Sequence, residues 1–263
     1  MDGAGVRLTR VVGQPRIRHL DPFVLLDRFH SSEPRDYIAG FPSHPHRGFE
    51  TVTIMLDGNF QHRDSRGNHG LLTGGGAQWM TAGRGIVHSE MPAQTSGLLS
   101  GFQLWVNLPE REKMCTPYYQ DLAPSTLHEE SLSRAGSRVR AIAAHTSGLT
   151  GPVRDRPTHP TLLTLDLEDD TPFDLDLPRD DNAFVFVHRG SVLVADESVP
   201  SNTLAVLTPG TRLRLRAVAE RSGVLVVSGR PLHEPIVQRG PFVMTNEADI
   251  ERAWADYRAG TLG

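Results

Sequence analysis

The sequence predicts an all-β protein, a sandwich or barrel, with the chain divided into two β domains. Three observations predict it. Short runs rich in Val, Ile, Leu, Phe and Thr recur along the chain. They alternate apolar with polar residues or are continuously apolar, as half-buried and sandwiched strands are. Turn pairs such as Asp57-Gly58, Arg66-Gly67, Arg189-Gly190 and Pro209-Gly210 interrupt these runs at short intervals, the rhythm of an all-β sandwich or barrel. A polar stretch at 123–137, APSTLHEESLSRAGS, has strand-like segments on both sides.

In the first half, Phe49–Leu56 (FETVTIML) and Gly101–Leu108 (GFQLWVNL) read as strands. In the second, Leu162–Leu167, Ala183–His188, Ser191–Ala195, Thr203–Leu207 and Gly223–Ser228 do so. The division expected from these runs is a first domain over 1–122, a linker over 123–137 and a second domain over 138–263. Thr51–Gly58 and Phe184–Gly190 each read as a strand entering a Gly turn, a short internal echo. The end of the chain differs. Asn246–Gly260 places Ile250, Ala253, Trp254 and Tyr257 at helical spacing, with Asn246 suited to cap the start and Gly260 to end it. One amphipathic C-terminal helix packed on the sheets is expected.

Composition narrows the classes. The 263 residues suit one large domain or two smaller ones. The net charge of −4 argues against direct binding to nucleic acid or an anionic membrane. Lys113 is the only lysine, so basic character rests on arginine. The single cysteine, Cys115, cannot form an internal disulfide, which fits a reducing compartment. The opening residues lack the apolar core of a secretory signal, and no stretch reaches the length of a membrane span. A cytoplasmic protein is the expectation.

The chemistry concentrates in two segments. In FPSHPHRG (41–48), His44 and His46 are separated by one residue. On an extended strand, residues i and i+2 share a face, so both imidazoles aim at one point. In WMTAGRGIVHSE (79–90), His88 and Glu90 repeat that spacing after a tight Gly turn. Two such strands facing each other across a barrel would converge three imidazoles and a carboxylate. That donor set suits Fe(II), Mn, Ni, Cu or Zn. Calcium requires more oxygen ligands, and a thiolate zinc site has no cysteines to draw on.

The longer segments resemble the pirin family of cupins. LDPFVLLDRF (20–29), HPHRGFETVT (44–53), HRDSRGN (62–68), QWMTAGRGIVHSEMP (78–92), FQLWVNLP (102–109), KMCTPYYQ (113–120) and GPFVMTNEADIERAWADYRAGTLG (240–263) follow in family order over nearly the whole chain. The resemblance implies two tandem cupin barrels. It also implies one divalent metal per chain, iron first, held in the first barrel by His44, His46, His88 and Glu90. Glu50 occupies the position where the general cupin motif HxHxxxE has a ligand. The pirin pattern favours Glu90 and leaves Glu50 a supporting place. The second barrel lacks an HxH pair, with His145, His159, His188 and His233 isolated, and is expected to be metal-free. Gly74-Gly75-Gly76 replaces an Asp usual before the QWM segment, and Ile54 stands where an aromatic is common. Both changes bear on the pocket and leave the ligand set intact.

The resemblance further implies a quercetin 2,3-dioxygenase-like oxygenase. Its substrates would be a small flavonol-like aromatic and O2, with ring opening and release of carbon monoxide. Glu90 would take the substrate's hydroxyl proton. The alternative is a metal- or redox-sensing regulator that acts by contact with a transcription factor or metabolic enzyme. A monomer is the family-based expectation. Among other candidates, His62 and His69 read as loop residues of a hairpin, with Asp64 and Ser65 making turn hydrogen bonds. Gln103 and Asn107 share a strand face, which places Gln103 at the pocket if that face lines it. Trp79, Met80 and Lys113 read as structural, Cys115 as an inert thiol, and Arg47 as a carboxylate partner or entrance residue. The Asp-rich 166–181 reads as a solvated strand face.

Overall fold

A computed structural model of the chain describes residues 3–146, 148–219 and 221–263, the side chains of 145 and 146 excepted. The chain forms two compact units. One runs to Pro124 and resumes at Leu232; the other is Ser125–Pro231.

Up to Pro124 the first unit contains ten strands among its described residues: β1 (Leu8–Val12), β2 (Phe23–Ser31), β3 (Phe41–His46), β4 (Phe49–Asp57), β5 (Asn59–Asp64), β6 (His69–Thr73), β7 (Ala77–Thr81), β8 (Ile86–Pro92), β9 (Leu99–Asn107) and β10 (Tyr118–Leu122). They make a six-stranded sheet, ordered β1-β2-β9-β4-β7-β10, and a four-stranded sheet, ordered β3-β8-β5-β6. The central strands β4 and β7 are buried along almost their whole length, as expected of runs as apolar as FETVTIML. β3 carries Pro42 and Pro45, which lack the N–H a central strand needs, and it lies at a sheet edge.

The second unit repeats the plan. Six strands, from His128–Ser131 to Thr203–Val206, form one sheet, and a four-stranded sheet includes Phe173–Asp176 and Arg212–Ala217. Its interior is filled by Leu163, Leu165, Val185, Val187, Leu213, Leu215, Val224 and Val226. Among the described residues, no group of metal-ligating side chains lies in it.

The units differ from the expected boundaries 1–122, 123–137 and 138–263 in two places. Within 123–137, His128–Ser131 is a strand paired with Arg138–Ala143, so this polar stretch has its backbone hydrogen bonds in a sheet. Residues 232–263 return to the first unit. Phe242 bridges to Arg47, Val243 donates its N–H to the Arg47 carbonyl at 3.1 Å, and both Phe242 and Val243 are fully buried. Gly48 makes this docking possible. Its φ is +88°, and a Cβ there would run into the Val243 carbonyl.

The helix α1 (Glu247–Ala259) forms where the sequence places it. The Asn246 side chain accepts from the Asp249 N–H, and Gly260 ends the helix in the left-handed conformation. Ile250 and Ala253 are buried with Phe242 and Met244. Arg47, itself buried, binds Asp256 of this helix at 2.7 Å and the Arg84 carbonyl at 2.5 Å. No helix among the described residues is long and apolar enough to cross a membrane.

Candidate metal centre

β3 and β8 are neighbours in one sheet, with His44 directly opposite His88. They do not face each other across the barrel as the spacing alone suggested. Convergence comes from adjacency: His44 and His46 lie two apart on β3, and His88 stands beside them on β8. The ring centroids are 4.7 Å apart for His44–His46, 4.4 Å for His44–His88 and 4.9 Å for His46–His88. One nitrogen of each ring falls within 4.8 Å of the other two. His46 and His88 are buried, and His44 is half-buried.

Each ring has its Nδ1 against a partner. His44 Nδ1 is 2.8 Å from the Pro42 carbonyl, His46 Nδ1 is 3.3 Å from the Pro241 carbonyl, and His88 Nδ1 is 3.4 Å from His62 Nδ1. A carbonyl only accepts, so His44 and His46 carry their proton on Nδ1, and the Nε2 lone pairs remain. The buried Nε2 atoms of His46 and His88 have no hydrogen-bond partner. Unpartnered buried nitrogens on convergent rings fit a bound cation. Burial holds the pKa of His46 and of His88 well below the ordinary imidazole value, and neighbouring imidazoles add to the effect: His44 for His46, and His46, His44 and His62 for His88. Burial thus favours the neutral, ligand-competent form of both rings.

Glu90 follows His88 by two residues on β8 but is not one of the three closely grouped donors. It lines the same cavity. Its carboxylate accepts from the Thr53 hydroxyl at 2.8 Å and from Gln103 Nε2 at 3.3 Å. The Thr53 hydroxyl also lies 2.6 Å from Gln103 Oε1. Glu90 is thus oriented by two residues of the opposite sheet. Gln103 lines the cavity beside Trp105, as its strand face allows. The cavity is about 830 Å³, with Phe29, Phe41, Phe60 and Trp105 among its walls.

Glu50 does not reach this centre. It alternates with Thr53 along β4 and shares its face with Val52 and Ile54. It is fully buried, and its Oε1 accepts from the Thr81 hydroxyl at 2.6 Å.

His62 departs most from expectation. It lies within β5 and not in a loop, is 1% exposed, and stacks on Tyr119 with ring centroids 4.6 Å apart. The alternation of β5, with Phe60 and His62 buried and Gln61 and Arg63 exposed, is the signal that marks it as inward-facing. Asp64 does make the expected turn bonds, to the N–H groups of Arg66 and Asn68. Lys113 is structural: fully buried, its Nζ donates to the Gly48 carbonyl, Asn107 Oδ1 and the Val243 carbonyl. Trp79 and Met80 are core residues. Cys115 is half-buried and in no disulfide.

Two tandem β-sandwiches, the first with convergent imidazoles inside it, define a two-domain cupin. The family model described as Pirin matches residues 5–106, and that described as Pirin C-terminal cupin domain matches 162–263. The chain belongs to the pirin family. A Pseudomonas aeruginosa protein provisionally named a quercetin 2,3-dioxygenase is 47% identical, over 99% of this chain and 93% of its own length. A pirin-like protein of Caulobacter vibrioides is 43% identical, over 98% of this chain and 94% of its own. The crystal structure of a quercetin 2,3-dioxygenase from Acinetobacter baumannii superposes with a TM-score of 0.92 at 34% identity, covering 100% of this chain and 94% of that one.

Proposed function

We propose that the chain is a metal-dependent oxygenase that opens flavonols such as quercetin with O2. In this reading His44, His46, His88 and Glu90 hold one divalent metal, Fe(II) first among Mn, Ni, Cu and Zn. The observation that carries it is the group of three imidazoles, with the buried Nε2 atoms of His46 and His88 unpartnered, at a large, aromatic-lined cavity. The names of the Pseudomonas and Acinetobacter relatives support the reaction class. A divalent metal held by these four side chains would supply a Lewis acid that polarises a chelating substrate for reaction with O2.

The protein's own groups do the rest. Phe29, Phe41, Phe60 and Trp105 offer flat apolar surface to an aromatic ligand and exclude water. A Glu90 oxygen takes the proton of the substrate hydroxyl, as a carboxylate beside a metal serves as ligand and base in turn. Thr53 and Gln103 hold that carboxylate in place.

The test is aerobic decay of quercetin, with release of carbon monoxide, by Fe(II)-loaded protein. Glu90→Gln that retains full metal is expected to lose turnover by about 10²–10⁴-fold, the usual contribution of a positioned base. His44→Ala is expected to lose the metal, read by elemental analysis. Unchanged turnover in metal-replete Glu90→Gln removes the base role. Wild-type protein that takes up no divalent ion removes the whole reading.

A further inference from the structure

The polar side chains that line the cavity are largely engaged with one another. Glu90, Thr53 and Gln103 form one bonded group, and Arg10 pairs with Asp27. Ser43 and Gln238 are exposed. Trp105 is different. It lies on β9, an interior strand of the six-stranded sheet, two residues beyond Gln103. These two are the half-buried residues of an otherwise buried strand. They share a face, and both line the cavity, so what they expose is exposed to it.

The indole is held rigidly beside the candidate metal ligands. It packs on Phe49 with ring centroids 4.3 Å apart, and it meets the His46 ring at 5.2 Å with 75° between the planes. Among the described residues, none accepts a hydrogen bond from its Nε1–H. Trp79 Nε1 is also unpartnered, but it is sealed in the core, whereas Trp105 Nε1 is open. An indole enclosed by protein ordinarily finds an acceptor for this donor.

We infer that the Trp105 indole N–H is a recognition point for the substrate, donating to a carbonyl oxygen that neighbours the chelating hydroxyl. The inference rests on the flavonol reading and deepens it. An indole N–H donates and cannot accept, so its natural partner is an oxygen that only accepts. A carbonyl oxygen is one, and its two lone pairs allow it to take this bond even when it also faces a cation. A flavonol carries such a carbonyl next to its hydroxyl. Few polar groups in an otherwise apolar wall set ligand orientation, and a donor fixed by ring packing loses little freedom when the ligand arrives. The substrate class is therefore a planar aromatic hydroxyketone.

The test is binding without turnover. Zn(II)-loaded protein is titrated, in the absence of O2, with unsubstituted flavonol and with its thione analogue, in which sulfur, a weak acceptor, replaces the carbonyl oxygen. Trp105→Phe keeps an aromatic ring against Phe49 and removes the donor. It is expected to weaken flavonol binding about three- to tenfold, the net effect of one hydrogen bond, and to leave thione binding within about twofold of wild type. In wild type, flavonol is also expected to move downfield one of the three indole N–H proton resonances, assigned to Trp105 by its proximity to the Phe49 ring protons. This signal serves if the variant does not fold. Equal weakening for the two compounds, or a Trp105 resonance that does not respond to bound flavonol, overturns the inference and leaves the flavonol reading standing. Failure of zinc-loaded wild type to bind flavonol overturns both.

Discussion

His62 and His88 face each other through their Nδ1 atoms, 3.4 Å apart within the barrel. If His88 Nε2 is to donate its lone pair to a cation, His88 must carry its proton on Nδ1, and His62 Nδ1 must accept it. His62 thereby selects the ligating tautomer of His88, and its own ring is fixed by stacking on Tyr119. Tyr119 in turn bonds to Gln78, which reaches Asp121 at 3.1 Å.

His62→Phe keeps the stack and removes the acceptor. It is expected to weaken metal binding about 10–100-fold, the usual cost of losing a residue that orients a ligand. His62→Asn restores an acceptor and recovers part of the loss. Chelator competition at fixed pH measures both. Equal affinities for wild type and His62→Phe would sink the assignment.

Thr53→Val removes the hydroxyl that contacts Glu90 at 2.8 Å while preserving shape. A hydrogen bond to a charged group contributes about 1.5–3 kcal/mol, so kcat on a flavonol is expected to fall at least about tenfold. Metal content is expected to stay at the wild-type level. Loss of metal in parallel with rate would assign Thr53 to the integrity of the site instead.

Gly48→Ala places a Cβ at φ +88°, against the Val243 carbonyl. Backbone strain of this kind costs about 1–3 kcal/mol, and the clash adds to it. A lowered melting temperature by calorimetry is expected, with weaker metal retention because the Pro241 carbonyl that holds His46 lies on the displaced segment.

Lys113 gives a pH signature. Burial lowers its pKa from 10.5 to about 8, against the opposing pull of Glu234 and Glu110. Between those values the unfolded chain holds a proton that the folded chain has released. This group therefore makes stability rise with pH from about 8 to 10.5. Lys113→Met abolishes that rise and leaves three acceptors without their donor, at an expected cost of about 2–4 kcal/mol. Denaturant melts of both proteins across this range are the measurement.

Local pattern made much of this legible. The i, i+2 spacings of His44/His46 and His88/Glu90 state which side chains share a face. Asn246 and Gly260 state where a helix begins and ends. What local pattern does not carry is pairing. Nothing in HPH or HSE says that β3 lies beside β8 and not across from it. Nor does the sequence say that 232–263 joins the first unit, because the deciding contacts, Val243 with Arg47 and Lys113 with Val243, span 130 residues or more. The inward position of His62 is legible in the alternation of Phe60 and His62 with Gln61 and Arg63, while the turn residues after it point to a loop.

Pro241 and Val243 lie beyond the whole of 125–231 in the chain, yet they brace His46 and the Gly48 turn near its beginning. On the ribosome, which emits the N-terminal residues first, the opening barrel waits for the closing segment before its histidines are fully held. Completion of the cradle around His46 thus follows the emergence and docking of the segment that carries Pro241.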